Sequence, residues 1–170
     1  MSRIERSVRT YRHRLLSGST VTGSMWVRLP LFAPTMIKQC LRIALRELPN
    51  HIESRRHWSF IIQKGRIVEW AKNRLGEPTG MYFAGYQPGR HALHAEINAL
   101  SKAKGLMDLR KPWSLINIRL TAQGQLVMSA PCPVCTGFMR ACGCREFIYS
   151  DSHGRFVKIL PENFQPQETK

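Results

Sequence analysis

Two short stretches, His94-Ala95-Glu96 and Pro131-Cys132-Pro133-Val134-Cys135, constrain this chain more than any other feature. They spell H-x-E followed by P-C-x-x-C, with thirty-four residues, 97–130, between them. One imidazole and two thiolates make a ligand set suited to Zn²⁺, and three protein ligands leave the fourth tetrahedral position to water. An open site of this kind is catalytic rather than structural. Glu96 stands two residues beyond the histidine, close to the metal without being needed as a ligand, which is where a proton shuttle for the bound water belongs. A lone C-x-x-C is also compatible with a redox pair or half of a structural zinc site, but its coupling to H-A-E argues against both.

The rest of the chain supplies elements around these motifs. From Thr35 the pattern is helical: Ile37, Leu41, Ala44, Leu45 and Leu48 share a face, Thr35 is the expected N-cap, and Pro49-Asn50 ends the element. Cys40 lies on that face and reads as a small buried hydrophobe. The runs 58–62 and 67–71 are β-rich and flank Gln63-Lys64-Gly65-Arg66, a hairpin signal. Residues 75–90 hold four glycines and two prolines and should form a loop. Its aromatics Tyr82, Phe83 and Tyr86 suit either stacking on a base or pinning the loop to the core, and Arg90 and His91 add polar groups at its end. A helix is expected over 92–104, closed by Gly105, with His94 and Glu96 in its first turn. A strand follows at 114–120 and a short return at 125–129. A second helix should start at Pro131, carry Cys132 and Cys135 in its first turn, run to about Ala141 and stop at Gly143. Cys142 reads as core; a Cys142-Gly143-Cys144 metal pair lacks further ligands. Residues 146–149 and 156–159 are strands whose short connection, with Gly154 in the turn, forces an antiparallel pair.

The motif pair resembles the zinc-dependent cytidine/deoxycytidylate deaminase superfamily, which carries H-x-E and P-C-x-x-C. His94-Ala95-Glu96-Ile97-Asn98-Ala99-Leu100 is similar to the H-A-E-I-x-A-L helix start of deoxycytidylate and tRNA adenosine deaminases, and Asn73-Arg74 resembles the N-R pair that follows their second strand. The resemblance spans roughly 36–164. It implies a three-layer α/β/α sandwich with a five-stranded mixed sheet, the two motif helices side by side beneath the site. It also implies Zn²⁺ held by His94, Cys132 and Cys135, with Glu96 as the catalytic acid and base. Asn73 would bind the sugar and the Ala95 backbone the base edge; from the loop composition rather than the resemblance, Tyr86 and Arg90 are the further substrate-side candidates. For Asn73 the bland alternative is a turn residue. The antiparallel tail and Leu160-Pro161 are instead similar to free-nucleoside cytidine deaminases, because a helix intervenes there in the other branch.

Charge bears on the substrate. The 170 residues hold 26 Lys and Arg against 11 Asp and Glu, a net charge of +15, which favours polyanions or phosphorylated small molecules, unless it only keeps the surface soluble. The expected activity is hydrolytic conversion of cytosine to uracil in a nucleotide or in single-stranded DNA or RNA. Free cytidine or deoxycytidine, an adenine base, and a non-catalytic zinc protein that binds nucleic acid are the alternatives.

The chain divides into a basic extension over 1–34, a deaminase domain over 35–164 and a tail over 165–170. In the extension Arg3, Arg6, Arg9 and Arg12 recur every third position, with Arg14 beyond them. They fit a nucleic-acid arm, a transit peptide, an extended reading frame with Met25 or Met36 as later starts, or a solvated tail. Free thiols in a metal pattern imply an intracellular, reducing compartment, with organellar targeting open. No run of eighteen apolar residues suggests a membrane span. A homo-oligomer is expected by analogy alone.

Overall fold

The computed structural model describes residues 33–75 and 92–160. The expectations placed on the basic stretch 1–32, on Tyr82, Phe83, Tyr86, Arg90 and His91 of the loop, and on residues 161–170 lie outside the described residues.

Helix α1 spans Ala33–Glu47 and passes into a single 3₁₀ turn at Leu48–Asn50. Ile37, Cys40, Leu41, Ala44 and Leu45 fall on one face at helical spacing and are buried, while Lys38, Gln39, Arg42 and Arg46 face out. The helix begins two residues earlier than expected, so Thr35 is not its N-cap. Pro34 fits the first turn because its missing N–H has no intrahelical partner to lose.

Strands β1 (Arg56–Gln63) and β2 (Arg66–Lys72) form the expected hairpin. Lys64 and Gly65 both have positive φ, 52° and 69°, which is the pattern of a two-residue turn whose twist matches the strands. Two-residue strands β3 (Arg74–Leu75) and β4 (Ala92–Leu93) pair antiparallel on either side of residues 76–91. That ladder takes Ala92 and Leu93 out of the next helix. Helix α2 is therefore Ala95–Ala103, and His94 is its N-cap rather than a member of its first turn. Gly105 follows α2 without a left-handed backbone and is not the stop signal expected.

Strand β5 (Trp113–Leu120) runs antiparallel to β1, and β6 (Leu126–Val127) folds back on the end of β5. Helix α3 is Pro133–Ala141, so Pro133 takes the position expected of Pro131, and Cys132 is the N-cap. Gly143 ends this helix as expected: its φ is +85°, and a Cβ there would lie 3.2 Å from the Leu109 carbonyl oxygen. Strands β7 (Cys144–Ser150) and β8 (Phe156–Ile159) close the sheet as an antiparallel pair. Asp151 holds their turn, its carboxylate accepting from the Arg155 N–H at 2.9 Å and meeting the Arg155 guanidinium at 2.8 Å.

The sheet order is β2-β1-β5-β7-β8, with β6 attached to β5 as a sixth, short member. β5 and β7 are parallel and the other neighbours antiparallel, because α3 supplies the crossover that parallel strands need. The chain is thus an α/β fold on a mixed sheet with helices on both faces. Alternate residues of each strand face opposite layers. Trp58, Phe60, Ile62, Ile116, Ile118 and Leu120 pack with α1; Ile61, Ala71, Leu115 and Phe147 pack with α2 and α3. Among the described residues no helix is long and apolar enough to cross a membrane.

Candidate metal centre

Each motif places its donor at the mouth of a helix. His94 leaves β4 with φ −65° and ψ 146°, an extended residue that turns the chain into α2. Cys132 has φ −71° and ψ 162° at the start of α3, and Cys135 lies one turn into that helix. The Cys132 sulfur accepts the Cys135 N–H at 3.4 Å, so the cap itself folds both thiols towards one point. His94 Nδ1 then stands 3.5 Å from the Cys132 sulfur and 3.3 Å from the Cys135 sulfur. All three donor atoms lie within 4.8 Å of one another, and they form the one such cluster among the described residues. Cys40 and Cys144 are buried elsewhere, and burial pushes both thiols upward.

The donors fit a tetrahedral cation. Bonds of about 2.3 Å to sulfur and about 2.0–2.1 Å to nitrogen place N and S roughly 3.6 Å apart across a tetrahedron. The two N···S separations here need only a few tenths of an ångström of adjustment. Protonation agrees with geometry. Hydrogen bonds from Cys135 and then His94 draw the Cys132 thiol down to about 4 against its partial burial. The same contact with Cys132 raises His94 above its ordinary value, again against burial. A lowered Cys132 thiol favours the thiolate, the form in which sulfur binds a cation.

Glu96 lies in the first turn of α2 and is almost fully buried. Its Oε1 accepts the Asn117 amide N–H at 3.0 Å, and Asn117 Oδ1 accepts the Ser59 hydroxyl at 2.7 Å. Glu96 Oε2 is shielded from solvent and has no hydrogen-bond partner among the described residues. The first intrahelical bond of α2 runs from the Asn98 N–H to the His94 carbonyl at 3.0 Å, so the Ala95 N–H at the helix tip takes no part in the helix ladder. Asn98 in turn donates from its side chain to the Lys72 carbonyl at 2.8 Å and locks α2 to the end of β2.

Asn73 follows the last residue of β2 and bonds to β1. Its Oδ1 accepts the His57 N–H at 2.9 Å while its own N–H donates to the His57 carbonyl at 3.0 Å, so both polar groups of the His57 backbone are held by one residue. These two bonds continue the β1–β2 pairing by one residue and leave the amide Nδ2 of Asn73 for another partner. His57 Nε2 is shielded and has no hydrogen-bond partner among the described residues. Burial holds that imidazole below its ordinary value, opposed by the nearby Glu96 charge.

Sequence reasoning missed Ser59, Asn117 and His57. Only Asn117 carried a signal, as an amide set between Ile116 and Ile118 in the middle of a buried strand.

No protein-family model matches the chain, and no curated protein matches it. Solved structures with a similar fold include the dCMP deaminase of the cyanophage S-TIM5 in apo form, with a TM-score of 0.49 and 19% identity over 69% of this chain and 84% of that one. The same enzyme in complex with dCMP and dUMP gives a TM-score of 0.49 and 18% identity, over 69% and 82% of the two chains.

Proposed function

We propose that the chain is a zinc-dependent hydrolytic deaminase that converts cytosine to uracil in a nucleotide or single-stranded nucleic acid. The observation that carries this reading is the convergence of His94 Nδ1 with both motif sulfurs, beside a buried carboxylate that keeps one oxygen unengaged. A structural zinc site has no use for such a carboxylate. His94, Cys132 and Cys135 would hold the metal. Bound zinc supplies the Lewis acidity that brings ionisation of a water into the neutral range.

The remaining chemistry belongs to the chain. Glu96 Oε2 takes the proton of the water that attacks C4 of the base, and returns protons to the ring nitrogen and to the departing ammonia. Cytosine and water thus give uracil and ammonia, with the carboxylate ending as it began. The Ala95 N–H at the tip of α2 meets the edge of the base. Asn73 reaches the sugar through Nδ2, since its oxygen belongs to His57. Tyr86 and Arg90 complete the substrate side, and the arginines of 1–34 add contacts to phosphates.

Ammonia release measured on cytidine, dCMP, single-stranded DNA and single-stranded RNA, with matching adenine substrates, tests reaction and substrate together. The expected result is turnover on a phosphorylated cytosine substrate, with about one zinc per chain by metal analysis, as three protein ligands and an open position require. Glu96→Ala should keep its zinc and lose roughly 10²–10⁴-fold in kcat. Near-normal turnover in that variant refutes the role of Glu96.

A further inference from the structure

We infer that Asn117 is the positioning residue of this site: it sets which oxygen of Glu96 is free and ties that carboxylate to the segment that carries Cys132. The inference rests on the reading of Glu96 as the proton carrier. It starts from an anomaly of composition. On the face of β5 that meets α2 and α3, Asn117 follows Trp113 and Leu115, both in the apolar core, yet it is itself 1% exposed.

Each polar group of its side chain is assigned. A carboxylate can only accept, so the amide must turn its nitrogen to Glu96, and it does, at 3.0 Å to Oε1. An amide is free to flip unless something distinguishes its two ends. Ser59 does so, donating its hydroxyl to Asn117 Oδ1 at 2.7 Å from the neighbouring strand. All three residues are buried, so no solvent competes. One oxygen of Glu96 is thereby engaged and the other, Oε2, is left for a proton in transit.

The backbone of Asn117 reaches the other half of the site. Its carbonyl accepts the Ser129 hydroxyl at 2.9 Å. Ser129 is bound on its far side to β7: its N–H donates to the Ser150 carbonyl at 2.9 Å, and its Oγ accepts the Ser150 N–H at 2.8 Å. Three residues later the chain reaches Cys132. One residue in the middle of the sheet thus indexes the carboxylate of α2 through its side chain and the approach to α3 through its main chain. A merely structural Asn117 would need neither the fixed flip nor the free Oε2.

The test is a double-mutant cycle on zinc-loaded protein, with kcat, KM, zinc content and crystal structures read for Asn117→Ala, Ser59→Ala and the double variant. Asn117→Ala should lower kcat by about 10–100-fold, the scale of a displaced catalytic group, and leave KM within about 3-fold and zinc content unchanged. Ser59→Ala should lower kcat by about 3–10-fold, and the double variant should match Asn117→Ala, because Ser59 acts only through Asn117. If Asn117→Ala does not fold, Ser59→Ala carries the test, with the Asn117 amide expected to lose its single orientation. Wild-type kcat in either single variant, multiplying effects in the cycle, or an unmoved Glu96 carboxylate in Asn117→Ala crystals overturns the proposal. Absence of turnover in the parent protein overturns the deaminase reading instead, and a displaced Glu96 in Asn117→Ala crystals then still upholds the positioning.

Discussion

Towards α1, strands β1 and β5 present Trp58, Phe60, Ile62, Ile116, Ile118 and Leu120; towards α2 and α3 the same two strands present Ser59, Ile61, Leu115 and Asn117. The first face is a packed apolar layer. The second interrupts its apolar layer with a hydrogen-bonded line from Ser59 through Asn117 to Glu96, and also carries the cluster of His94, Cys132 and Cys135. Because side chains alternate along a strand, one backbone carries both, and the stability of one face supports the polar burial of the other. The difference teaches where function can be altered without unfolding the protein and where it cannot.

The largest separation should come from Cys135→Ala. On the site face it removes one of three donors, so metal analysis is expected to fall from one zinc per chain to near none and turnover to become undetectable. Retained stoichiometric zinc would show that another group supplies the site. Phe60→Ala probes the opposite face, where the ring is fully buried and stacks at 6.2 Å on Trp70. It should cost about 3–5 kcal/mol in denaturant unfolding yet leave zinc content and KM of the surviving native protein unchanged. A matching loss of zinc would show that the two faces are not separable.

The smallest effect is a pH slope. His51 is buried edge-on against Trp58 at 4.7 Å, and burial holds it below the ordinary 6.5. The unfolded chain binds that proton near 6.5 and the folded chain resists it. The contribution is therefore complete above that pH and declines as pH falls through it. The expected result is a lower melting temperature at pH 5.5 than at 7.5, with a smaller difference in His51→Phe. An equal difference in both proteins would assign the slope to other groups.

Local chemistry was legible in the sequence, and long-range assembly was not, except for the one cluster that the two motifs name. The Lys64-Gly65 turn, the faces of α1, the tight β7–β8 connection and the Gly143 stop follow from residue types within a few positions of each other. The gathering of His94, Cys132 and Cys135 was readable because metal ligands come in few combinations. Helix starts were misplaced by a few residues: the β3–β4 ladder claims Ala92 and Leu93, and the extended backbone of Cys132 passes the first helical position to Pro133. The Ser59–Asn117 bond joins residues 58 apart, and serine or asparagine in a strand does not announce its partner. It became visible only once β1 lay beside β5.

The separation of His94 from the P-C-x-x-C segment has a thermodynamic consequence. The two contacting donors are 38 residues apart, so an ion gripped by both would close a ring of chain in the manner of a cross-link. By loop entropy a cross-link of that span disfavours the unfolded ensemble by roughly 4 kcal/mol. Chelation would then open the ring, and the melting temperature of the whole domain would track the supply of metal.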